Sequence, residues 1–291
     1  MIKFPLKLYG YTEYTNILIN LYNNKKLPGS IIINGEEGIG KKIFIINFLE
    51  KILKRSFVNL NHDNLIDDYG NVTTTIKIVN SEETLVNIDT IREISKFSNK
   101  SSFNNEPKFI VIFNVEKLNL YAGNSLLKIL EEPPANTFFL LSKTSSKNLI
   151  KTLISRCFFL NIRFSQSKKD EIFKKLLFDN GLDDLINIDY YPKYETPGLK
   201  INKILYLKEN NLINKKLIDI IFYCYEDFKK NKNNLALNYA IHFSIFLCRL
   251  NINNKFSNFY NIFDNFKSKL SHGIVYNSDL ENVFKILNKL N

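Results

Sequence analysis

The chain has 291 residues, 45% of them hydrophobic, enough for two or three small domains with a sizeable core and too apolar for a disordered tail. Lys and Arg total 40 against 29 Asp and Glu, a formal net charge of +11 that suits a polyanionic partner such as nucleic acid, although the lysines are scattered through an Asn- and Ile-rich sequence. The three cysteines, Cys157, Cys224 and Cys248, form no C-x-x-C pair, so neither a zinc knuckle nor a redox motif is signalled. The start, MIKFPLKLYG, lacks the apolar run of a signal peptide, and no stretch is long enough for a membrane span, so a soluble cytoplasmic protein is expected.

In chain order, SIIIN (30–34) is a short β-branched run, as expected of a parallel strand buried on both faces. A Gly-rich stretch follows, and then KIFIINFLEKILK (42–54) at helical spacing. The segment 59–71 is polar and reads as a loop. TIKIV (75–79) alternates like a strand, and NIDTIREISKF (87–97) reads as a helix with Ile88, Ile91 and Ile94 on one side. KFIVIF (108–113) is another buried strand, NSLLKILEEPP (124–134) a helix stopped by two prolines, and TFFLLS (137–142) and CFFLNI (157–162) are further strands. Strands alternating with helices predict an α/β fold with a doubly wound, mostly parallel sheet. After about Arg163 the strand signals fade. KDEIFKKLLFDNG (169–181) and LKINKILYLKEN (199–210) read as helices, with a Pro-rich break at 190–198 between them. The second half is therefore expected to be all-α.

GEEGIGKK (35–42) nearly matches the phosphate-binding loop G-x-x-x-x-G-K-[ST]. Gly35, Gly38, Gly40 and Lys41 are candidate nucleotide-binding residues of a degenerate, weak site. A strand, a Gly-rich turn and a helix N-terminus converge backbone N–H groups on one point, which is what a phosphate requires. Hydrolysis needs Mg²⁺ held by the loop hydroxyl and by an acid at the end of a second strand. Lys42 replaces the hydroxyl, and in KFIVIFNVEKLN the acidic positions hold Phe113 and Asn114. Glu116 lies past the strand end and is expected to face solvent. Both metal positions are lost, so no Mg-dependent hydrolysis is expected and no metal site is assigned. A working P-loop ATPase or kinase would need ligands that the sequence does not offer.

The run NSLLKILEEPPANTFFLLSKTSSKNLIKTLISRCFFLNI (124–162) resembles the AAA+ clamp-loader family of bacterial replication. The block LLK-LEEPP-N-FLL followed by SRC carries the resemblance. KLPGSIIINGEEGIGKK is similar to the family's entry into the loop, with Gly29 where a His is usual. IDTIREI resembles its I-R-containing helix. TPGLK (196–200) resembles its S-P-G-R helix start, with Leu199 where Arg is common. The likeness covers roughly residues 1–210. It implies an AAA+ P-loop domain over 1–164, a helical lid over 165–211 and a helical collar for oligomerisation over 212–291.

A degraded loop with an intact SRC is the pattern of the family's non-hydrolysing δ′ branch rather than of its motor subunits. The resemblance then implies that Ser155, Arg156 and Cys157 are the SRC motif, with Arg156 an arginine finger reaching a neighbour's ATP. It implies motor subunits of γ/τ type and a δ-type subunit as partners in a hetero-pentamer that acts on a sliding clamp and primed DNA. Many δ′ relatives carry a four-cysteine zinc module after the loop. Residues 51–108 contain no cysteine, so no zinc is expected, and no cofactor beyond weakly bound ATP. Cys157 is expected to be a packed, inert side chain. The aromatics of FSNFYNIFDNF (256–266) have helical spacing and read as core or interface. His62, His242 and His272 are isolated in the sequence.

Overall fold

In the computed structural model the described residues are 7–59, 66–67, 75–80, 87–100, 106–185 and 195–250. They fall into two compact units: Met1–Ile172 with Thr196–Gly198, and Phe173–Glu195 with Leu199–Asn291.

The first unit is built on a parallel sheet. Its strands among the described residues are β1 (Ser30–Gly35), β4 (Ile76–Asn80), β5 (Lys108–Phe113), β6 (Thr137–Thr144) and β7 (Phe158–Asn161), in the order β4-β5-β6-β1-β7. The register sets Ile31 opposite both Leu140 and Phe158, and Gly35 opposite Thr144. The β-branched run of β1 is explained by its two faces. Ile31 and Ile33 enter one core with Leu18, Phe44 and Phe48, from α1 (Thr12–Asn23) and α2 (Lys41–Leu53). Ile32 enters the other core with Ile91, Ile94, Leu126, Leu130 and Leu153, from α3 (Ile88–Asn99), α4 (Leu120–Glu131) and α5 (Lys151–Ile154). Fully burying one such Ile, Leu or Phe side chain contributes about 1.5–3 kcal/mol, so the sheet is held on both sides. The doubly wound expectation agrees with this arrangement.

Local signals set the helix ends. Asn87 and Asn119 cap α3 and α4, their side-chain oxygens accepting the N–H of Thr90 and Ala122. Ile88 departs from the expected stripe. The buried positions of α3 are Ile91, Ile94 and Ser98, while Ile88 is exposed. Helical side chains tilt toward the N-terminus, so a first-turn residue projects past the surface its helix covers. The segment 59–71 also departs from a plain loop. β2 (Phe57–Asn59) pairs antiparallel with β3 (Ile66–Asp67), because backbone pairing does not need apolar side chains; the rest of that segment lies outside the described residues.

The second unit is helical among the described residues: the later part of α6 (Gln166–Asp179), α7 (Pro197–Glu209), α8 (Leu217–Asn231) and α9 (Asn234–Leu250). One cluster joins Phe173, Leu177, Leu182, Ile201 and Ile204, and another joins Leu207, Ile220, Ile221, Cys224, Ala236 and Phe243. Glu195 and Lys203 form a buried ion pair at 2.6 Å, with His242 Nδ1 at 3.7 Å from the same carboxylate. His242, isolated in sequence, is thus beside charged groups in the fold. No described helix is long and apolar enough to cross a membrane. The aromatic run 256–266, His62 and His272 lie outside the described residues.

Candidate functional site

The helix after β1 covers one face of the sheet and the helix after its neighbour β6 covers the other. Chain connections therefore part between these two strands, and in open parallel sheets the C-terminal ends of strands at such a point are where ligands bind. The Gly-rich loop stands there. Gly38 (φ 71°) and Gly40 (φ 106°) take up left-handed backbone conformations, and Gly40 directly precedes α2.

Five successive loop carbonyls accept hydrogen bonds from within the first unit. Lys41 Nζ donates to Gly35 O and Glu36 O, both at 2.8 Å. The Thr196 hydroxyl donates to Glu37 O at 2.6 Å, Gly198 N–H to Gly38 O at 3.0 Å, and the Tyr11 hydroxyl to Ile39 O at 2.9 Å. A Cβ on Gly198 would stand 2.4 Å from Gly38 O, so only glycine permits that approach. Glu36 also binds Lys169 Nζ through both carboxylate oxygens. Lys41 is buried, and burial pushes its pKa below the ordinary lysine value, opposed mainly by the charges of Glu116 and Glu37. The four predicted loop residues are thus in one place, but the lysine is folded onto its own loop. The pins from Tyr11 and Thr196 carry no local sequence signal; each lies far along the chain from the carbonyl it holds.

The two positions that would hold Mg²⁺ meet each other. Lys42 Nζ lies 5.2 Å from the centroid of the Phe113 ring, a cation–π contact. Mg²⁺ demands oxygen ligands in near-octahedral array. An ammonium and a phenyl ring supply none, so these residues do not fit the metal. Beside them Asn114, in a left-handed conformation, donates its N–H to the Ser142 hydroxyl. Glu116 corrects the sequence reading: it does not face solvent. The 3-10 turn Val115–Lys117 curls over the sheet end, where Glu116 Oε1 accepts the Thr144 N–H and Oε2 is buried without a partner.

Arg156 is at the other end of the sheet. β7 runs parallel to β1, with Phe158 opposite Ile31, whereas the loop begins after Gly35. Four residues of strand span about 13 Å, and Arg156 precedes β7 by a further step. The arginine therefore faces away from its own chain's loop. Leu153, fully buried, anchors α5, and the turn after it sets Arg156 on the surface. The Ser155 hydroxyl donates to Thr152 O, a turn-shaping bond. Burial pushes the Cys157 thiol up to about 12, which makes it inert at neutral pH, in line with the sequence reading. Arg156 Nε and Nη2 both bind Glu131 Oε1, and Nη1 donates to Thr152 O.

A family model described as DNA polymerase III, delta subunit, matches residues 10–166, more than half of the chain. The chain belongs to the DNA polymerase III delta subunit family. Within that family its likeness is to subunits named delta′. The DNA polymerase III subunit delta′ of Buchnera aphidicola is 30% identical over 207 residues, covering 69% of this chain and 60% of that protein. The DNA polymerase III subunit gamma/tau of Mycoplasma genitalium is 27% identical over 213 residues, covering 70% of this chain and 33% of that protein. The chain thus spans less than two thirds of the length of either relative. A DNA polymerase III gamma subunit-related protein of Thermotoga maritima shares the fold, with a TM-score of 0.53 at 18% identity over 92% of this chain and 97% of that one.

Proposed function

We propose that this chain is the non-hydrolysing, δ′-type member of a clamp loader, and that its contribution to ATP turnover is Arg156, given to the nucleotide of an adjacent motor subunit. The observation that carries the reading is the contact between Lys42 and Phe113. A cation and an apolar ring stand where a metal would need a hydroxyl and a carboxylate, so the chain's own loop has no means of holding Mg²⁺ for phosphoryl transfer. The loop keeps its glycines, and nucleotide binding there is weak and insensitive to Mg²⁺. The position of Arg156 supports a role in trans. An arginine at the opposite end of the sheet from its own loop is out of reach of any phosphate bound there. A planar, permanently charged guanidinium is the side chain suited to stabilise charge on a γ-phosphate.

The partners are motor subunits of γ/τ type and a δ-type subunit in a hetero-pentamer, which acts on a sliding clamp and primed DNA in the cytoplasm. Residues 1–164 form the AAA+ domain, 165–211 the lid and 212–291 the collar that holds the assembly together. No zinc is required. The isolated chain is expected to show no Mg²⁺-dependent ATP hydrolysis. Steady turnover by the purified chain, abolished by Lys41→Ala, would establish instead that it is a motor subunit.

A further inference from the structure

The two motifs that stand out in the sequence, LEEPP and SRC, meet in the fold. Glu131 is the last residue of α4, and its Oε1 lies 2.5 Å from both Nε and Nη2 of Arg156. Arg156 Nη1 donates to Thr152 O at 3.0 Å. A guanidinium has five N–H donors in a rigid plane. These bonds engage the edge formed by Nε and Nη2, and one donor of Nη1. Two N–H groups, one on each terminal nitrogen, are not used by them.

The carboxylate has little reason of its own to be there. A negative charge in the last turn of a helix opposes the helix dipole. Yet its place is firmly set. Pro133 ends α4 against the backbone of Gly29, where a Cβ would stand 2.9 Å from the proline ring, and Gly29 O accepts the Phe139 N–H at 2.7 Å. A locally unfavourable residue on a rigid support is the usual mark of a functional device.

We propose that Glu131 is the positioning residue of Arg156: it grips one edge of the guanidinium and leaves the outer edge for the γ-phosphate of a nucleotide held by a neighbouring subunit. This rests on the trans role of Arg156 argued above. A long, half-exposed arginine otherwise samples many rotamers and loses side-chain entropy on each engagement. Held by Glu131, it meets the phosphate already oriented, so the gain is in the chemical step and not in nucleotide affinity.

The test uses the complete reconstituted clamp loader and its DNA-stimulated ATPase. Glu131→Gln, nearly isosteric and half-exposed, keeps the fold but not the charge. With Arg156 present it is expected to lower kcat at the served site by about ten- to hundredfold, leaving KM for ATP unchanged. In an Arg156→Ala background it is expected to do nothing further. Glu132→Gln, the adjacent carboxylate, is expected to leave kcat unchanged. If Arg156→Ala slows the complex while Glu131→Gln does not, or if Glu131→Gln slows it equally without Arg156, the positioning role is wrong and the trans role stands. If Arg156→Ala itself changes nothing, both fall.

Discussion

Phe113 and Lys42 are separate in sequence, yet each makes sense only through the other. A buried ring at a strand end and a lysine at a helix start are both poor choices for a metal site, and together they make a cation–π pair. Lys42→Ala is expected to lower stability by about 0.5–1 kcal/mol in a urea melt, with no effect on the complex's ATPase. Lys42→Ser alone should not restore Mg²⁺-dependent nucleotide binding to the isolated chain, because Phe113 still supplies no oxygen. Gly198 tests the loop's pinning. Its Cβ-free approach to Gly38 O leaves no room, so Gly198→Ala should cost about 1–3 kcal/mol and appear as faster hydrogen exchange in the loop 36–40. At this scale the sequence was readable wherever chemistry was local. Gly35, Gly38, Gly40, Lys41 and Arg156 are marked by motifs. Tyr11, Thr196 and the buried side of Glu116 are not, since each depends on a contact far along the chain.

The elements of the first half were legible because parallel strands buried on both faces leave runs of Ile, Val, Leu and Phe that little else produces. Their ends were less so. β6 runs on to Thr144 and α4 starts at Leu120, ahead of its obvious apolar stretch, because Asn119 caps it. Ile88 shows the limit of periodicity, which gives a face but not the extent of the surface beneath it. In the second unit no motif announced the pairing of Glu195 with Lys203, which joins the segment before α7 to that helix's own middle. Lys203 is almost wholly buried, so Lys203→Ala should cost about 1–3 kcal/mol by leaving the carboxylate with His242 alone beside it. Burial raises the pKa of Glu195, but hydrogen bonds and charge from His242 and Lys203 outweigh it, and the net shift is downward. The unfolded chain then holds the proton more tightly. The carboxylate's contribution is present above the ordinary glutamate pKa and is lost as pH falls through the lowered folded value. Glu195→Gln should flatten the acid limb of the stability–pH curve; an unchanged limb would mean that other carboxylates govern it.

For the whole molecule, fold class was legible from the alternation of strands and helices, and family from the LEEPP and SRC block. The path of the sheet was not: the order β4-β5-β6-β1-β7 depends on which strands neighbour each other in space. That order gives the functional account its shape, because it sets the Gly-rich loop and Arg156 at opposite ends of parallel neighbours. One end keeps a Gly-rich loop with Lys42 packed on Phe113, and the other presents an arginine. The most direct measurement is the DNA-stimulated ATPase of the reconstituted complex carrying Arg156→Ala, with assembly checked by size-exclusion chromatography. If Arg156 acts in trans, the complex stays intact and the served site slows by about 10³–10⁵-fold. An intact complex with undiminished ATPase would contradict that role.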